Sequence, residues 1–212
     1  MLDPPESIDD VVAQVMEALS AMNDPSQITP QPTLKWQAVK GFIDGVITYP
    51  ALTAAVVEPY WLPTTNDSET WAPDEDTLVE PYWSEEILTE ALERFFLEGI
   101  DVQLHTDGDL AVQIALNAAE KFQNKYPDHD FRLGLAHDEL TQETDWPRFA
   151  KLGVDAIMSF QWAQLSSFYI PDTFQSLGEY RHDKLQAHWQ IEGAGRPVVY
   201  GSDWPVSANK RS

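Results

Sequence analysis

Four polar residues stand at or near the ends of short apolar runs that read as β-strands. Lys40 lies within Ala38–Ile43, His105 closes Val102-Gln103-Leu104, His137 follows Phe131–Ala136, and Asp203 follows Pro197–Tyr200 and Gly201-Ser202. Neutral imidazole is a good ligand for zinc or manganese, and a carboxylate adds charge and can also move a proton. The sequence holds no cysteine, so thiolate metal sites and disulfides are excluded. If the four runs are parallel strands of one barrel-like sheet, their C-terminal ends meet at one mouth, and residues far apart in sequence can gather round a metal ion. Each residue also has a plainer reading. A histidine after a strand is often a loop or hydrogen-bonded core residue, Lys40 can simply reach solvent, and Asp203 before Trp204-Pro205 can be a turn or cap residue.

The elements that must position these residues alternate between helix and strand. Ile8, Val11, Val12, Val15, Leu19 and Met22 share one helical face, with Ser7 placed to cap it. A proline-marked stretch (Pro25, Pro30, Pro32) leads to the Lys40 strand, which Asp44-Gly45 ends as a turn. Residues 49–83 are proline-rich and aromatic (Tyr60-Trp61, Trp71, Tyr82-Trp83) and read as a long excursion packed over a site. Ser84 caps a helix that Gly99 ends, then the His105 strand follows. A helix opens near Asp109, which reads as its N-cap, and breaks at Pro127. The His137 strand, a short helix ending at Gly153, a strand over Val154–Ser159, a helical stretch over Lys184–Ile191 and the final strand complete the chain. Repeated strand–helix–strand units imply parallel strands. His129, His182 and His188 sit in polar surroundings and read as surface residues.

At 212 residues, with 43% hydrophobic residues, one domain spanning 1–212 is expected, with 1–34 as its leading helix and linker. A net charge of −22 repels phosphate backbones and argues against nucleic-acid binding. No apolar run is long enough to span a bilayer, and the first residues lack the basic and apolar pattern of a secretion signal, so a cytoplasmic protein is expected. No glycine-rich phosphate loop, HExxH or Ser-His-Asp pattern occurs.

In this order and at these intervals, five segments resemble the amidohydrolase superfamily, in particular its YtcJ-like branch (amidohydrolase family 3), which includes N-substituted formamide deformylases. They are Val39–Val46; Thr53-Ala54-Ala55 with Glu58-Pro59-Tyr60; Val102–His105 with Gly108-Asp109; Arg148–Val154; and Gly201–Val206. The resemblance runs from about Lys35 to Val206. It implies a (β/α)8 barrel that uses one or two divalent metal ions, zinc foremost with manganese or iron as alternatives, to hydrolyse amide-type, non-peptide C–N bonds of a small molecule. His105 and His137 would then be metal ligands, Asp203 a ligand and proton shuttle, and Lys40 a carboxylated bridge between two metals.

The sequence also departs from that pattern. It contains no His-x-His pair, with which the family opens its metal site, and its first matched strand corresponds to the fourth of the barrel. About five strands are counted where closure needs about eight. An incomplete α/β barrel is therefore expected, made of barrel strands 4–8 and carrying part of a metal site. Its unpaired sheet edges invite a homo-oligomer. Two functional readings stand: a truncated form of a C–N hydrolase, or a non-catalytic product or interaction module built on a partial barrel.

Overall fold

The computed structural model describes residues 8–24, 36–65, 70–159, 161–163 and 171–203. Ser7, the prolines at 25, 30 and 32, and Trp204-Pro205-Val206 lie outside them.

Helix α1 (Ile8–Met22) lays the apolar side of its 3.6-residue pattern on the core through Val11 and Val15. Strand β1 (Ala38–Phe42) follows. The long excursion holds a small antiparallel pair, β2 (Trp61–Pro63) and β3 (Trp71–Pro73), and a 3-10 turn over Glu75–Thr77. Helix α2 (Glu85–Leu97) starts as its sequence requires, with the Ser84 hydroxyl accepting the Ile87 N–H at 3.3 Å. It stops where Gly99 takes a φ of 71°. Strand β4 (Asp101–Thr106), helix α3 (Asp109–Lys125), strand β5 (Leu133–His137), helix α4 (Trp146–Leu152) and strand β6 (Asp155–Met158) come next. Helix α5 (Pro171–His182), helix α6 (His188–Gly193) and the short strand β7 (Val199–Tyr200) complete the described chain.

Two readings of the sequence are corrected here. Helix α5 has no counterpart in the apolar periodicity, and Gly178 breaks it with φ 72° and ψ 159°. It is held by tertiary contacts: Arg181 donates to the carbonyls of Glu58 (2.7 Å) and Pro59 (2.8 Å) and fastens the helix to the excursion. The helical stretch expected from Lys184 begins only at His188, with a turn before it.

The five longer-range strands form one parallel sheet in the order β1-β4-β5-β6-β7. This is the expected α/β, partial-barrel architecture. Strand alternation gives the sheet two unlike faces. Val102, Leu104, Leu133, Leu135, Ala156 and Met158 are buried in the main core, together with residues of α1, α2, α3, α4 and α6. Phe96 and Phe122 meet edge to face there, 5.0 Å apart. The register puts Lys40, Phe42, Gln103, His105, Ala136, Ile157 and Val199 on the opposite face. That face is partly open to solvent: Phe42 is 37% and Val199 44% exposed. A second, smaller core of Ile47, Leu52, Ala54, Val56, Tyr60, Leu140 and Leu177 packs the excursion down.

Candidate metal centre

The two histidines meet at the C-terminal ends of neighbouring strands. In register, His105 pairs with Ala136 and His137 with Thr106. Regular pleating would therefore send the two imidazoles to opposite faces. His137, however, has a φ of 85° and Asp138 a φ of 48°. The strand leaves its pleat there, and the two rings lie 4.5 Å apart between centroids. A left-handed conformation at a non-glycine residue costs about 1–3 kcal/mol and persists only where surrounding contacts impose it. Here the Asp138 N–H donates to the Thr106 carbonyl (2.8 Å), and the Thr106 hydroxyl donates to Asp138 Oδ1 (2.8 Å).

Both rings are held neutral. Burial lowers the His137 pKa to about 3, with His105 and Lys40 adding to the effect. His105 is lowered by burial and by Lys40, against the opposing pull of Gly45 and Asp203. His105 Nε2 lies 2.6 Å from the Gly45 carbonyl oxygen, which can only accept, so Nε2 carries the proton and Nδ1 keeps its lone pair. Phe42 stacks on the same ring at 5.0 Å.

Lys40 sits on the open face, its ammonium 5.6 Å from the Phe42 ring centre. Desolvation by its surroundings lowers its pKa, while Asp203 and Asp138 pull it back up. Asp203 has a φ of 50°, and its Oδ2 accepts from the Trp162 indole N–H at 3.3 Å. Lys40, His105, His137 and Asp203 thus fall in one electrostatic neighbourhood. They do not form a closed ligand set: among the described residues, no three His, Asp or Glu side chains are grouped so as to hold a metal ion. Two adjacent neutral imidazoles suit a divalent ion, and the donors that would complete its shell are not among the described residues.

The carboxylates beneath this pair carry more weight than their sequence signals suggested. Asp44, read as a turn residue, is buried and accepts the N–H groups of Ala55 (3.0 Å), Asp107 (2.9 Å) and Gly108 (2.8 Å). It also lies 3.9 Å from His105 Nε2. Burial outweighs those hydrogen bonds and pushes its pKa up to about 7. Gly108 is required by close approach, because a Cβ there would lie 2.1 Å from the Ala55 carbonyl oxygen. Asp109 is not the cap of α3; Gly108 holds that position. Asp109 is buried instead, accepting the Val57 N–H at 2.9 Å and an amide hydrogen of Gln142. Asp138 is fully buried, and burial raises its pKa to about 8. Asp107 is raised still more strongly, by burial first and Glu139 next.

His188 is a further correction. It is buried beside Tyr200, with ring centres 6.2 Å apart, and is not a surface residue. The signal for these buried acids was weak, since a carboxylate at a strand end looks the same in sequence whether it faces water or a neighbouring loop's N–H groups.

The sequence profile of the amidohydrolase family matches residues 9–209. No curated protein matches the chain in sequence. In fold the chain is similar to an uncharacterized metal-dependent hydrolase from Pyrococcus furiosus, with a TM-score of 0.65 and 22% identity over 92% of this chain and 36% of that one. A second such hydrolase, from Pyrococcus horikoshii OT3, gives a TM-score of 0.63 and 19% identity over 92% of this chain and 35% of that one. The chain therefore spans about a third of the length of these solved structures.

Proposed function

This chain belongs to the amidohydrolase family, and on that premise we propose that it carries part of the metal centre of a hydrolase of amide-type, non-peptide C–N bonds. His105 and His137 would supply two nitrogen ligands, and further donors would come from outside the described residues. The observation that carries the reading is the pair of neutral imidazoles, 4.5 Å apart, at the C-terminal ends of adjacent parallel strands. A divalent ion such as zinc, when bound, supplies hydroxide near neutral pH.

The chain's own residues would do the rest. The Gly45 carbonyl fixes the His105 tautomer so that Nδ1 is free to bind. Asp203 would accept a proton and pass it to the leaving nitrogen, with its Oδ2 oriented by Trp162. Lys40, held near Asp203 and Asp138, would be either a cation for a developing oxyanion or, if carboxylated, a metal bridge. The lack of a three-donor group among the described residues favours a second reading for the chain on its own: a non-catalytic partial barrel.

Zinc titration by calorimetry tests the first reading. The chain should bind zinc weakly, and the double variant His105→Ala, His137→Ala should lose that binding. Unchanged affinity in the double variant would sink the proposal.

A further inference from the structure

The β1 edge of the sheet carries a site that the metal centre does not use. A cavity of about 720 Å³ runs along it. Val11 and Val15 of α1 and Leu88 and Phe95 of α2 line its outer wall, and Val39 and Phe42 of β1 line its floor. Strand β1 pairs with β4 alone. The pairing alternates: Asp101 N–H donates to the Gln37 carbonyl and Ile43 N–H to the His105 carbonyl, so the odd-numbered residues of this stretch face β4. The N–H and C=O groups of Ala38, Lys40 and Phe42 point the other way, along the cavity. None of them has a hydrogen-bond partner among the described residues.

An apolar trough whose floor is a row of unpaired backbone donors and acceptors has a specific complement. We propose that this groove is a strand-docking site, filled by an extended apolar segment of another polypeptide that pairs in parallel with β1. A small apolar molecule would fill the volume and leave the backbone row unsatisfied. A second copy of this chain fits poorly: its other open edge, β7, is only two residues long, and two chains of net charge −22 repel each other. The solved structures of this fold extend well beyond the part this chain matches, which covers 36% of the first and 35% of the second. In such proteins polypeptide is therefore at hand to lie beside the matched sheet. Charge adds one more feature of the partner: a strand flanked by lysine or arginine complements the acidic surface. The inference is independent of whether the histidine pair binds metal.

The test uses the whole chain and a synthetic peptide of alternating valine and threonine with paired lysines at each end. Amide hydrogen exchange is followed by NMR. At saturating peptide the Ala38, Lys40 and Phe42 amides should slow by about tenfold or more, as local opening becomes coupled to peptide release. Ala38→Pro removes one outward N–H and leaves the β1–β4 ladder intact. It should weaken peptide binding about fivefold or more, with an unchanged circular dichroism spectrum and melting temperature. Three results would overturn the proposal. The first is no slowing of these amides at saturating peptide. The second is slowing that appears without peptide as protein concentration rises, which marks a second copy as the occupant. The third is an apolar dye that fills the groove and is not displaced by the peptide.

Discussion

Asp138 offers a clean measurement of what the buried acids cost. Its carboxyl is fully buried, Oδ1 accepts from Thr106, and Oδ2 has no hydrogen-bond partner among the described residues. Burial raises its pKa in the folded chain to about 8 from an ordinary 3.8. A carboxyl whose folded pKa lies above its unfolded value stabilises the fold fully below the unfolded value, and that stabilisation is lost as pH rises through the folded one. The loss therefore falls between about pH 4 and pH 8. His137 and His105 act in the opposite sense, since their folded pKa values are depressed and they cost stability as pH falls below their ordinary 6.5. Above about pH 6.5 both histidines are neutral in the folded and the unfolded chain, so the carboxyls dominate. At 1.36 kcal/mol per pH unit, Asp138 should cost about 1.5–2 kcal/mol between about pH 6.5 and pH 8. Asp44, with a folded pKa of about 7, adds a smaller loss. Asn in place of Asp138 keeps the acceptor for Thr106 and removes the charge. Urea unfolding of chelator-treated protein at the two pH values should show Asp138→Asn losing about 1.5–2 kcal/mol less than the parent chain, and being the more stable of the two at the higher pH. Parallel pH profiles for the two proteins would refute the reasoning, because they would mean that Asp138 is not desolvated in solution.

Two further outcomes follow from the same geometry. Arg181→Ala should destabilise the fold by roughly 2–4 kcal/mol in urea unfolding, because it strands the buried carbonyls of Glu58, Pro59 and Leu177 and frees α5 from the excursion. The 212-residue chain alone, supplied with zinc or manganese, should hydrolyse N-formyl and N-acyl amines no faster than buffer, as a chromogenic or mass-spectrometric assay would show; robust metal-dependent turnover would mean that a complete donor set exists.

What the sequence by itself determined was the local grammar. The 3.6-residue stripe of α1, Ser84 as a cap, Gly99 and Gly153 as helix stops, and the strands that carry Lys40, His105 and His137 were all legible, because each rests on contacts within a few residues. The parallel order of those strands followed from their alternation with helices. Tertiary structure decided whatever depends on a distant partner. Register alone would have put His105 and His137 on opposite faces, and only the turned backbone at His137 and Asp138 brought the rings together. Asp44 looked like a turn residue until the N–H groups of the Asp107-Gly108 loop closed on it from 63 and 64 residues away. Helix α5 has too little apolar periodicity to be read, and Arg181 holds it through carbonyls 122 and 123 residues earlier in the chain. Asp109 could pass for a cap until Val57 and Gln142 claimed its carboxylate. In each case the deciding term is the burial of a polar group against a partner remote in sequence, a cost or gain of a few kcal/mol that no local pattern records.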